Sequence, residues 1–223
     1  PKRDWSSDVC SSDLGSQNRA VTKQDYEAMC YKMPPMFGLV KRVKAERDPD
    51  SFKRNINLYV VSEDEYGKLI NTNSAIKENL KTWINKSRMI NDTIDILDGN
   101  ILNFGIEFEI VTEPNYDRYE ALTNAIREVK KEFSLLKDIG EPLFITDVYS
   151  ALKKAVGVLD VTKVNIISKT GGLYSEYSIQ IDKSLSPDGR YVIVPSDSIF
   201  EIKFPDADIK GTIKRSEEHT SEL

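Results

Sequence analysis

Hydrophobic and polar positions along the chain alternate between two periods, one near 3.6 residues and one of 2, which mark helices and strands respectively. The segment VTKQDYEAMCYK predicts a helix with Thr22 as its N-cap. Asp25, three residues on, completes a capping box, and Val21 and Tyr26 are placed for a hydrophobic staple. The MPP run at 33–35 stops it, because proline lacks the amide that a further turn needs. GLVKRVKAE and NINLYVV then read as strands across the polar DPDSFKR turn, with Ile56, Leu58 and Val60 on one face. From Ser74 to Met89 the positions Ile76, Leu80, Trp83 and Ile84 fall at helical spacing. ILDGN is a break, and FGIEFEIV alternates Phe104, Ile106, Phe108 and Ile110 against Gly105, Glu107 and Glu109, as a strand with one wet face does.

After the EPN turn comes the clearest helical pattern, with Tyr119, Leu122, Ile126, Val129, Phe133 and Leu136 stepping by three and four as a buried face. Gly140 and Pro142 end it, and ITDVYSALKKA starts another helix with Thr146 as its cap. VTKVNIISK and YSIQID read as strands across a Gly-Gly turn, SPDGR is a turn before the strand RYVIVP, and SIFEIKF is an edge strand ending at Pro205. The pattern predicts an α+β fold: helices layered on short antiparallel or mixed sheets, with a short C-terminal β tail. Its organisation is a first α-β-β-α unit over 15–98, a second β-α-α-β unit over 99–170 and a C-terminal β region over 171–214. AVTKQDYEAM and FITDVYSAL, each before paired strands, form a weak internal echo.

The two ends do not share this patterning. RSEEHTSEL, residues 215–223, is encoded by one reading of AGATCGGAAGAGCACACGTCTGAACTC, the constant adapter of short-read library preparation. The reverse complement, in a shifted frame, encodes SSDVCSSDL at 6–14. Residues 1–14 and 215–223 are therefore expected to be translated adapter, disordered and outside the fold, with the part between them a gene fragment. These tails hold three basic and six acidic residues, so the totals of 31 and 36 fall to 28 and 30, a net charge of −2. His219, Cys10 and Trp5 leave with them, so one cysteine, Cys30, and one tryptophan, Trp83, remain.

That changes the candidate chemistry. Without a histidine, Ser-His and Cys-His nucleophile pairs and the usual zinc sites are not available between 15 and 214. Cys30, on an amphipathic helix, reads as a buried spectator, and a single cysteine makes no internal disulfide. SEDEY at 62–66 reads as a solvated acidic loop. PDADIKG at 205–211 has the look of a calcium-loop start without room for the glutamate at the twelfth position. KRVK at 41–44 puts basic residues on both faces of a strand, and TGGL lacks the Lys-Ser or Lys-Thr of a phosphate loop. The near-neutral charge supplies no field for nucleic acid, and no run approaches the roughly 18 apolar residues of a membrane span. Neither cofactor nor metal nor small-molecule substrate is expected.

SQNRAVTKQDYEAM followed by LVKRVKAE, and EALTNAIREVKKEFSLLKDIGEPLFITDVYSALKKAVGVLDVTKVNI further on, resemble the baseplate J-like family of contractile tails. DGRYVIVPSDSIFEIKFPDADIKGTI is similar to the carboxy-terminal end of baseplate wedge proteins of T-even-type phages. The resemblance implies a virion structural protein, assembled in the host cytoplasm, that dimerises and links wedges into a ring around the hub. Its partners would be itself and other wedge proteins, and it would not be an enzyme. A baseplate of a related bacterial injection system is the other reading, and an enzyme with its active site outside this stretch is a third. Arg19, Thr22, Asp25 and Tyr26 match the family motif, and read as helix capping and packing before partner contact. The expected interface adds Ile199, Phe200, Ile202 and Phe204: on an edge strand, neighbours point to opposite sides, so apolar surface is left for a second copy.

Overall fold

The computed structural model describes residues 19–48, 54–134 and 137–214. The tails expected to be adapter-derived lie outside the described residues, as do His219, most of the DPDSFKR turn and Leu136. Among the described residues, six helices and ten strands make up an α+β fold, divided into two compact units that meet in sequence at Gly99 and Asn100.

The first unit holds α1 (Lys23–Tyr31), a 3-10 turn at Pro35–Phe37, β1 (Arg42–Arg47), β2 (Arg54–Glu63), β3 (Leu69–Asn71), α2 (Ser74–Asn85) and β4 (Asp92–Asp98). β2 is central: β1 and β3 run antiparallel to it, and β4 runs parallel with Ile56 beside Ile94 and Leu58 beside Ile96. Alternation sends Val43, Ala45, Ile56, Leu58, Val60 and Ile94 to one face, where Tyr26 and Cys30 of α1 and Leu80 and Ile84 of α2 close the core. β3 and β4 were not visible in the pattern. The expected break at ILDGN is instead the end of β4 and the start of the next strand, because Asp92–Asp98 gains its hydrogen bonds from a parallel partner nearly forty residues away.

The second unit is built on β5 (Asn100–Thr112), the longest strand. It is followed by α3 (Arg118–Glu132), β6 (Leu143–Phe144), α4 (Ile145–Lys154), β7 (Val158–Ser168), α5 (Ile181–Ser184), β8 (Tyr191–Val192), β9 (Ser198–Glu201), α6 (Pro205–Asp208) and β10 (Ile209–Ile213). β7 runs antiparallel to β5, with bulges at Glu109/Ile110 and Val111/Thr112. β9 pairs in parallel with Asn100–Asn103 and β10 with Ile106–Ile110. The row Leu102, Phe104, Ile106, Phe108 and Ile110 packs with Ala125 and Val129 of α3 and Val148 and Leu152 of α4.

Four expectations are corrected here. Of the stripe expected on α3, Val129 is buried and Leu122, Ile126 and Phe133 pack partly buried on the core, but Tyr119 is 79 % exposed, and the fully buried positions beside Val129 are Ala121 and Ala125. Thr146 does not cap α4. The helix begins at Ile145, whose amide is taken by the carbonyl of Arg190 at 2.8 Å, so the neighbouring hairpin supplies the acceptor. YSIQID is not a strand: Ile179 and Ile181 pack on the core from irregular chain and the short α5. With no second strand after β7, the internal echo has no counterpart in topology, since α1 leads into the adjacent pair β1–β2 whereas α4 leads into β7, whose partner β5 precedes it.

Candidate functional site

At the start of α1 the Thr22 hydroxyl accepts from the Asp25 amide at 3.2 Å, and the Asp25 carboxylate accepts from the amides of Thr22 at 2.8 Å and Val21 at 3.1 Å. Those backbone donors, Thr22 first, hold the Asp25 carboxyl below its ordinary value. Tyr26, one residue on, is buried; its hydroxyl donates to Asp92 at 2.7 Å and accepts from the Met89 amide at 3.3 Å. Burial, then the bond to Asp92, pushes its phenol up to about 12. The two residues thus act inside the first unit, and of the motif Arg19 and Thr22 stand exposed. Cys30 is buried, and burial followed by the Glu27 charge pushes its thiol up to about 12, which keeps it protonated and inert.

The expected C-terminal interface is differently placed. Ile199 is 0 % and Phe200 2 % exposed; Phe200 meets Phe104 edge-on with centroids 5.5 Å apart. Ile202 packs partly buried on the same core, and Phe204 meets Tyr174 edge-on at 5.5 Å. β9 pairs only with β5 among the described residues, yet both of its faces are covered, so an apolar residue on either side is core. Ile199 and Phe200 are therefore interior where apolar surface was expected, while Ile202 and Phe204 are half-buried. Exposed apolar side chains occur elsewhere: Met36 (83 %) and Leu39 (70 %) with Phe37 in the first unit, and Phe144, Leu185 and Ile193 around the β6–β8 strand pair in the second.

A buried polar cluster in the second unit was not foreseen. Asn103, 2 % exposed, donates to the Glu201 carboxylate at 2.8 Å and accepts from the Ser175 amide at 2.7 Å. Asp208, also 2 % exposed, accepts from the Tyr174 hydroxyl at 2.6 Å and the Phe204 amide at 2.9 Å. The bond to Asp208, then burial, raises the Tyr174 phenol above its ordinary value. PDADIKG is therefore a turn whose last aspartate points inward. The only local signal was a polar residue in an apolar run, at Asn103 and again at Glu201; their meeting is set by the β5–β9 register, in which Asn103 stands beside Glu201.

The SEDEY run is a turn as well: Asp64 accepts from the amides of Tyr66 and Lys68, and Glu63 pairs with Lys41. A cleft of about 320 Å³ in the first unit is lined by Asp48, Asn55, Lys77, Lys81 and Asp95 among others. Asn55 donates to Asp95 at 3.0 Å and Lys77 to Asp98 at 2.6 Å. Among the described residues no three His, Cys, Asp or Glu side chains are grouped to hold a metal ion, and no helix is long and apolar enough to cross a membrane.

No family model and no curated protein matches the chain. Among solved structures, the fold is similar to that of a chain in the cryo-EM structure of the anti-feeding prophage baseplate, 6-fold symmetrised, with a TM-score of 0.54 at 9 % identity. The match covers 87 % of this chain and 40 % of that one, so the sequence spans well under half the length of its structural neighbour. At this identity the likeness is one of fold.

Proposed function

We propose that the chain is a structural component of a contractile-tail baseplate: a wedge subunit that associates with itself and with other wedge proteins in the ring around the hub, acting through protein interfaces and not through catalysis. The observation that carries this reading is the likeness in fold to a baseplate chain over 87 % of the sequence. The motif resemblance, which spans both units, supports it independently. The motif residues Asp25 and Tyr26 serve the scaffold, and the exposed Met36, Phe37 and Leu39 offer the contact surface. Such a subunit would reside in the tail of the virion. A baseplate of a bacterial contractile injection system is the second reading, favoured by the neighbour itself, which comes from an anti-feeding prophage.

Co-expression with the products of the flanking genes, followed by sedimentation velocity and by immunolabelling of purified tails, tests the proposal. The expected result is stable complexes, with interfaces of about 1,200 Å² or more, and label at the tail end. A chain that stays monomeric alone and in every mixture, on tails that take no label, would overturn it. Flanking capsid and terminase genes select the phage reading, and effector genes the injection system.

A further inference from the structure

Between β7 and α5 the chain makes a tight loop. The Gly171 amide donates to the Ser175 carbonyl at 3.3 Å and the Tyr174 amide to the Gly171 carbonyl at 3.1 Å. Gly171 and Gly172 take φ of 77° and 62°, the left-handed region that suits glycine. Both legs of the loop stand on one buried residue, because the Lys169 amide donates to the Asn103 carbonyl at 2.9 Å and the Ser175 amide to the Asn103 side chain at 2.7 Å. Leu173, at the tip, is 74 % exposed. The next residue, Tyr174, reaches across to Asp208, and its ring rests edge-on against Phe204.

Asp208 immediately precedes β10, and its other carboxylate oxygen accepts from the Phe204 amide, closing the α6 turn that aims β10 at β5. Around it, the Asp208 carbonyl comes so close to β5 that a Cβ at Gly105 would lie 2.9 Å away, with the Lys169 chain at 3.0 Å. The carboxylate is 2 % exposed, so the phenol is not readily replaced by water.

We infer that the loop 169–175 is a latch on the C-terminal strand: with Tyr174 seated on Asp208, β10 is held in its parallel slot beside Ile106–Ile110, and when Tyr174 leaves, β10 is the element released. The latch is a conformational device, independent of whether the chain belongs to a baseplate. Its handle is Leu173, adjacent to the latching residue and in solvent.

Hydrogen–deuterium exchange on the full chain tests it. Tyr174→Phe keeps the ring on Phe204 and removes only the hydroxyl, so it folds. The amides of Ile209–Ile213 and of residues 169–175 should exchange about tenfold faster, as expected for loss of a hydrogen bond to a buried carboxylate. Those of α3 and of the first unit should keep their rates. Leu173→Ser, which alters the tip without touching the bond, should leave β10 protected. Unchanged exchange in β10 for Tyr174→Phe would overturn the latch, and so would a uniform rise across the second unit, which would mean general destabilisation in place of a local release.

Discussion

Individual residues carry sharply different loads. Tyr26 and Cys30 are both buried in the first unit and both have acid groups raised to about 12, from 10.0 and 9.0. Above these ordinary values the unfolded chain sheds protons that the folded one keeps, so stability is intact below pH 9 and falls as pH rises from there towards 12. Urea midpoints measured from pH 7 to 11 should decline from about pH 9 upward, and Cys30→Ala should move the onset to about pH 10, where the raised phenols of Tyr26 and Tyr174 remain. In the second unit Gly211 lies where a Cβ would be 2.5 Å from Leu122 and 2.6 Å from the Phe108 ring. Gly211→Ala should therefore cost about 1–3 kcal/mol of overpacking, read as a lower denaturation midpoint; an unchanged midpoint would show that the helix can move aside.

At the scale of elements, β1 is an edge strand that does not present a bare edge. The Val43 amide donates to the Tyr31 hydroxyl at 3.0 Å and the Ala45 amide to the Glu27 carboxylate at 2.9 Å, both side chains reaching down from α1. Cover of this kind blocks strand addition by another chain. Glu27→Ala should lower stability by about 1–3 kcal/mol and raise light scattering on concentration, while Glu27→Gln, which keeps an acceptor, should do neither. β9 carries a different expectation. Since Phe200 is interior, Phe200→Asp places an unpaired charge in the core and should unfold the second unit. A folded Phe200→Asp monomer, checked by circular dichroism, would contradict the burial. Helices were legible from periodicity, and at α1 from the Thr22–Asp25 cap as well; Asn73 and Asp117, which each accept an amide at a helix start, are caps the pattern did not single out. The partners of strands paired from a distance were not, since nothing within Asp92–Asp98 or Ser198–Glu201 names β2 or β5, although SIFEIKF did read as a strand.

Over the whole molecule, the α+β class was legible from the alternation of periods, and the candidate interface was not. Ile199, Phe200, Ile202 and Phe204 looked like surplus apolar residues because one strand can bury only one face against one layer. The fold instead sets β9 in parallel beside β5, with core on both sides, which absorbs Ile199 and Phe200 and leaves Ile202 and Phe204 half-buried. The proposed contact surface is the exposed set at Met36, Phe37 and Leu39. Met36→Asp with Leu39→Asp should leave the melting temperature within a few degrees, as surface changes do, and shift sedimentation towards the monomer. Association that survives both changes would move the proposed interface to the β6–β8 strand pair.

The sheet register also governs how the chain comes to be folded during synthesis. The sheet of the first unit needs only residues 42–98, and so can close while later residues are still being added. β5 must wait for Ile209, which pairs with Ile106 across 103 positions of chain. At ribosomal speeds of about 5–20 residues per second, that is a delay of roughly 5–20 s. For that interval the Leu102–Ile110 row is out of the ribosome without its last strand, and a chaperone holding the nascent chain would find its binding site there.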